Sequence, residues 1–565
     1  MRDKRAPDLW ALRKLRKEVG LVKEVLKRMT LREKIGQTAM PSLSACRNGV
    51  REEGGYVNYL KKYPFCGFYA ARSGGTVNNK GETLYKSEEL VDIALSTGKE
   101  LDIPLLIAAD AEFGGNQLFS EMTKLPSNMS VGSANSPELT YKRTYYWAKE
   151  LRSVGINWLF GPVLDIFPHL LTPGVTRRLS DNTDVIVNLA PHFIRGLRDA
   201  GMMSTAKHFP GKKGGYRDAH FAIATEDGLS MEEWNEMYMP IWKVAADAGA
   251  DSFMTEHPAF PSCDNEIVRG KIMRPSSASQ KVINLLRENI GFDGVVVTDA
   301  LSMKAIAVAF EHDEMYIECL KAGNDVILFT GNDYIDVIEK AVQDGKVSIE
   351  RIEEAAERVL KAKKKLGLFE GKILGEPMTG DDKADFDKVN YEICCKGATL
   401  VANEDGRIPF NPDKIKKVTI VPISPSEKFH DEEIKNLQKA FAKYGTESVV
   451  VEKIESKTTV KEMSENSDLI VYACYVGWTE PHGFPAYSQV REMNILFNAL
   501  SYGEEKSVVA SFGGPSIYYL YFEGTSAFVN MYTASEESMQ AFVDGLFGKY
   551  EFSETAPVKL IPGKE

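Results

Sequence analysis

Between Lys207 and His220 the chain reads KHFPGKKGGYRDAH. Lys207 and His208 are adjacent, a Pro-Gly turn follows, and one residue separates Asp218 from His220. An imidazole titrates near neutral pH, and a neighbouring carboxylate fixes its tautomer and raises its basicity. A loop-borne Asp-x-His pair is therefore a candidate for proton transfer. Further along, GFDGVVVTDALSM places Asp299 at the end of an apolar run. A lone carboxylate at the tip of a buried strand is a candidate nucleophile. A nucleophilic carboxylate and an acid/base group are the two parts that covalent catalysis with proton transfer requires.

Short apolar runs alternate with amphipathic segments along the first two thirds of the chain. LDIPLLIAAD, INWLFGPVLDI, MMSTAKHF, ADSFMTEH, DGVVVTDA and NDVILFT read as strands, and helical patterns follow them. MTLREKIGQ carries Thr30 as an N-cap with Glu33 three residues on, a capping box. Repeated strand-helix units imply a parallel sheet covered by helices. Roughly seven or eight such units favour a barrel over an open sheet. Asp110, Asp165, His208, His257 and Asp299 all end apolar runs, the edge where a barrel builds its site. The expected fold is α/β, a (β/α)8 barrel followed by a smaller α/β/α sandwich. The expected division is a barrel over residues 1–371, a polar linker over 372–394 and the sandwich over 395–565.

A formal net charge of −11 argues against nucleic acid or an anionic membrane surface as partner. The seven cysteines are odd in number and include the adjacent Cys394 and Cys395, which reads as reduced thiols rather than a disulfide framework. No Cys/His cluster has zinc-ligand spacing, and neither a metal nor a cofactor is expected. MRDKRAPDLWALRKLRKEVG begins with positive charge but has no apolar core after it, and no uncharged apolar run reaches transmembrane length. The reading is a cytoplasmic protein, with a mature form lacking its leader as the alternative. Nothing in the sequence specifies an oligomeric state.

These motifs together resemble glycoside hydrolase family 3, in its β-N-acetylglucosaminidase branch. MTLREKIGQ is similar to the family's opening signature, FGPVLDI to a barrel strand, and GFDGVVVTDALSMKAI to its nucleophile region. KHFPG followed by Asp-x-His is specific to the amino-sugar branch. GATLVANEDGRIPF and AFVDGLFGKYEFSETAPVKL resemble the start and end of the family's second domain. The resemblance implies Asp299 as nucleophile, His220 as acid/base and Asp218 as its partner. It implies Asp110, Arg177, Lys207 and His208 as the residues that hold the sugar.

The chain departs from the family pattern in places. Lys212 and Lys213 follow KHFPG where His or Leu and then Gly are usual, and Ala219 stands where Ser or Thr is usual. AEFGGNQLF has Leu118 or Phe119 near the place of an Arg that contacts substrate in the family. Several residues carry two readings. Asp165 is a barrel-interior residue or a ligand, and His257 and Glu112 are substrate contacts or structural groups. Lys212 and Lys213 are a solvated charge pair or a contact for an anionic group. The functional expectation is a retaining, exo-acting β-glycosidase acting on terminal β-linked amino sugars of a carbohydrate such as a cell-wall fragment. The alternatives are a β-glycoside phosphorylase, a β-glucosidase of the same family and a non-catalytic sugar-binding protein.

Overall fold

The computed structural model describes residues 20–70, 86–166, 175–213, 219–222, 228–424, 431–475 and 490–560. Among the described residues of its first part, eight short strands build one ring, apart from a small hairpin of Ile267–Val268 and Ile272–Met273: β1 (Ala39–Met40), β2 (Gly67–Tyr69), β3 (Leu106–Ala109), β4 (Trp158–Leu159), β5 (Thr205–Phe209), β6 (Ser252–Thr255), β7 (Val295–Thr298) and β8 (Ile327–Leu328). β2, β3 and β4 pair in parallel, as do β5, β6 and β7. Isolated parallel bridges join the remaining neighbours: Ser42 beside Tyr69, Trp158 beside Met203 and Val163 beside Lys207, and Val297 beside Val326. β8 returns to β1, with Ile327 opposite Ala39. The strands thus close a ring in chain order, the expected (β/α)8 barrel.

The sequence explains the ring. Every residue of β3, β5, β6 and β7 is buried, as strands covered on both faces require. The barrel interior is filled by Met40, Leu106, Trp158, Met254, Val295 and Leu328 among others. Trp158 satisfies its indole N–H on Thr205 Oγ1 at 2.6 Å, so a large ring is buried without an orphan donor. β2 and β3 approach so closely at Gly67 that a Cβ there would lie 1.8 Å from Leu106 O. Thr30 caps the helix Leu31–Gly36 and Glu33 completes the capping box. The helical segment before β6 is divided into Met231–Met237 and Met239–Asp247. Pro240, at the start of the second piece, has no N–H to continue the first.

Four helices join the barrel to the region after it: α1 (Asn128–Ala134), α2 (Pro137–Ser153), α3 (Gly380–Gly397) and α4 (Glu536–Leu546). The polar stretch read as a linker carries most of α3, which packs on α1 and α2 of the barrel and on α4 beyond it. Thr379 caps α3, and Lys149 of α2 pairs with Asp382 at 2.7 Å. The later region holds strands β9 (Thr399–Asn403), β10 (Lys417–Ile423), β11 (Glu447–Val450), β12 (Leu469–Cys474), β13 (Ser507–Ser511) and β14 (Ala527–Asn530). Their spatial order is β9, β14, β13, β12, β10, β11, parallel except for β9 on β14. Separate apolar clusters cover its two faces, one including Leu437, Phe441 and Phe542, the other Val460, Ile495 and Phe522. This is the expected α/β/α sandwich. Its C-terminal tail returns to the barrel, where Ser180 donates to Pro557 O and Lys559 N donates to Asp181 Oδ2 at 2.8 Å.

Candidate active site

Asp110 directly follows β3, and the turn after it carries Glu112. β5 contributes Lys207, and the loop after β4 contributes Arg177. These four side chains form one ionic network. Arg177 presents its fork to Glu112, Nε to Oε2 at 2.8 Å and Nη2 to Oε1 at 2.6 Å. Lys207 Nζ lies 2.7 Å from Glu112 Oε1 and also donates to Asp110 Oδ1. Asp110 Oδ2 accepts from the Tyr69 hydroxyl, whose ring stacks on Phe160 at 5.7 Å and meets Phe329 edge-on. The side chains of Lys207 and Glu112 are 1% and 7% exposed, whereas Asp110 is 41% exposed. Asp110 is thus the carboxylate of the network that faces the open end of the barrel. Burial opposes ionisation of Glu112, but Arg177 and Lys207 outweigh it and hold the carboxyl well below its usual range. Burial likewise works against Lys207 and Arg177, and their carboxylate partners override it and raise both. Burial, then Asp110, pushes the Tyr69 phenol well above its ordinary value.

A second set lies beside this network. Asp165 is 2% exposed and takes His208 at both oxygens, Nδ1 at 2.8 Å and the backbone N–H at 3.0 Å. A carboxylate only accepts, so His208 donates through Nδ1–H and keeps Nε2 for another partner. Burial disfavours the Asp165 anion, but His208 and then Lys212 override it and push the carboxyl well down. His257, also buried, donates Nε2–H to Ala300 O at 3.0 Å and accepts at Nδ1 from the Ser277 hydroxyl at 2.8 Å. Burial lowers its affinity for a second proton.

Asp299 follows β7 and is half-buried. Its N–H bonds Thr255 O at 2.8 Å, and its Oδ1 accepts from Ala300 N at 2.7 Å. Burial pushes its carboxyl up, but the imidazoles of His208, His257 and His220 prevail and bring it to about 2. His220 is exposed, and its backbone is tied to the loop after Asp299. Lys304 N donates to His220 O at 3.2 Å and Ala305 N to Ala219 O at 3.1 Å. Asp218 lies outside the described residues.

The barrel therefore gathers Asp110, Arg177, Lys207, His208, His220 and Asp299 at the C-terminal ends of its strands. Sequence reasoning left the parts of Glu112 and Asp165 open. Glu112 is the buried anion that organises both cations, and Asp165 is the orienting partner of His208. Tyr69 was missed, because a tyrosine ending an apolar run reads as core. Lys212 is half of an ion pair rather than a freely solvated charge: its side chain is 29% exposed, and its Nζ lies 3.3 Å from Oε2 of Glu256, whose side chain is 3% exposed. Leu118 and Phe119 are 3% and 1% exposed and belong to the barrel's apolar core. Among the described residues, metal-type donors converge only at the exposed His312, Asp313 and Asp333, none of which is one of these site residues.

The chain matches the model of the glycosyl hydrolase family 3 N-terminal domain over residues 30–362. A β-N-acetylglucosaminidase/β-glucosidase of Cellulomonas fimi is 26% identical over 494 residues, 82% of this chain and 85% of that one. A solved family 3 β-N-acetylglucosaminidase of Paenibacillus is 25% identical, with a TM-score of 0.76 over 94% of this chain and 99% of that one. A solved β-glucoside phosphorylase has the same fold, at 22% identity and a TM-score of 0.81 over 95% of this chain and 96% of that one. With more than half of the chain inside the family's barrel domain, and with the strand-end carboxylates and histidines assembled on one face, the protein belongs to glycosyl hydrolase family 3 and is a glycosidase.

Proposed function

We propose that the protein is a retaining, exo-acting β-N-acetylglucosaminidase. The carrying observation is Asp299: a half-buried carboxylate directly after β7, on the strand-end face that also holds Asp110, Lys207 and Arg177. An ionised carboxylate there attacks the anomeric carbon, the exocyclic C–O bond breaks, and His220 gives its proton to the leaving oxygen. His220 then takes a proton from water as water displaces Asp299. Asp218 is assigned as the partner that orients His220. Asp110, which faces the open end of the barrel, is suited to accept sugar hydroxyls. Arg177, Lys207 and His208 complete the sugar subsite. Residues 1–371 form the catalytic domain in this reading, 372–394 the connection and 395–565 the supporting sandwich. Seven free thiols, with no disulfide, accord with a cytoplasmic location. Among the described residues no helix is long and apolar enough to cross a membrane.

Phosphorolysis is the second reading, favoured by the acid/base group itself. A neutral imidazole repels an incoming phosphate less than a carboxylate would, so a phosphate oxygen can replace water in the second step. The test is a matched pair of nitrophenyl β-glycosides, N-acetylglucosaminide and glucoside, each with and without inorganic phosphate. Higher kcat/KM on the N-acetylglucosaminide, unchanged by phosphate, is the expected result. A glucoside cleaved equally well overturns the sugar assignment, and phosphate-dependent release of a sugar phosphate selects the second reading.

A further inference from the structure

The two lysines that follow KHFPG are placed differently. Lys213 pairs with Glu233, and both side chains are well exposed, at 46% and 34%. Surface pairs of this kind are worth little. Lys212 turns inward to Glu256, which directly follows β6 and precedes His257. A carboxylate as buried as Glu256 is costly without a cation. Burial works against the Lys212 ammonium, but Glu256 and Asp165 overcome that and raise it.

The backbone at this point is held as well. Gly211 has φ +95°, and a Cβ there would lie 2.3 Å from the Tyr238 ring, so the chain leaves β5 pressed against that tyrosine. The Tyr238 hydroxyl contacts Lys212 O at 2.6 Å and Ile166 O at 2.8 Å, and it accepts from Ile166 N at 2.9 Å. At the other end, Ala219 and His220 are bonded through their carbonyls to Ala305 and Lys304. The chain is thus held at residue 212 and again, by its backbone, at residues 219–220.

Resting on the assignment of His220 as acid/base, we propose that Lys212 is a positioning residue for it. The Lys212–Glu256 pair is a strut that ties the start of the His220 segment to the end of β6. It acts on proton donation through His220, not on the sugar. A merely structural pair, or a contact with an anionic substrate group, would affect all leaving groups alike.

The experiment measures kcat/KM on phenyl and dinitrophenyl β-N-acetylglucosaminides, the first needing protonation on departure and the second needing little. The variants are Lys212→Met, Lys212→Arg, Glu256→Gln and His220→Ala, each checked by thermal unfolding. General acid catalysis supplies roughly 10²–10⁴ in rate, and a misplaced acid loses part of it. Lys212→Met and Glu256→Gln should lose about tenfold or more on the phenyl substrate and less than about twofold on the dinitrophenyl one. Lys212→Arg should stay near wild type. Equal losses on the two substrates, or none, overturn the inference. Glu256→Gln alone decides it if Lys212→Met does not fold, because it is nearly isosteric. His220→Ala separates the two failures: without a leaving-group difference in that variant, the acid/base assignment itself is wrong.

Discussion

Replacing Glu112 by Gln preserves the shape of the side chain and removes its charge. Glu112 is 6% exposed, receives two bonds from Arg177 at 2.8 and 2.6 Å, and lies 2.7 Å from Lys207. A glutamine turns one of those two acceptors into a donor, so at least one cation then faces an N–H. Removing one partner of a buried ion pair costs about 3–5 kcal/mol, mostly because a charge is left uncompensated. Lys207 keeps Asp110, which relieves part of that cost, so the lower end, about 3 kcal/mol, applies. At about 1.4 kcal/mol per factor of ten, this is roughly a hundredfold if all of it falls on substrate binding and turnover. Part will instead appear as lost stability. The expected outcome is a fall of roughly ten- to a hundredfold in kcat/KM on a chromogenic N-acetylglucosaminide, together with a lower Tm. The Glu112 carboxyl is depressed in the folded state, so its stabilisation is fully present above its unfolded value of about 4.3 and is lost as pH falls toward the folded one. The Tm gap between wild type and variant should therefore be full near neutral pH and narrow on acidification below about pH 4. A Glu112→Gln enzyme with an unchanged Tm and a kcat/KM within about twofold of wild type would refute the claim that this anion holds Arg177 and Lys207 in place.

Two further outcomes rest on the same geometry. A slow fluorinated glycoside should become attached to the peptide containing Asp299, and a label on any other carboxylate sinks that assignment. Because the Asp299 carboxyl lies at about 2, the labelling rate should not fall through loss of nucleophile ionisation between about pH 6 and about pH 4. His220→Ala should be restored on the dinitrophenyl substrate by azide, with a glycosyl azide as product, whereas hydrolysis without any effect of azide would reduce His220 to a binding or folding role.

The barrel could be read from the sequence because six of its eight strands lie in short apolar runs that end at or beside a polar group, and chain order becomes ring order without crossovers. Asp110, His208 and Asp299 were visible for the same reason: each breaks the apolar pattern at a strand tip. The partners of these residues were not visible, because an ion pair has no local signature. Glu112 meets Arg177 from 65 positions away, and Asp165 meets His208 from 43. Tyr69 was hidden differently, since its ring satisfies the core pattern and only its hydroxyl reaches Asp110. Lys212 shows the limit of reading charges by adjacency. Beside Lys213 it looks like half of a solvated pair, yet the positive-φ glycine before it, pressed on Tyr238, lets the chain turn so that one lysine faces a buried carboxylate and the next a surface one. Departures from a family motif therefore need their partners before they can be interpreted. An inserted cation at a barrel mouth means one thing when it faces solvent and another when a buried carboxylate such as Glu256 is waiting for it.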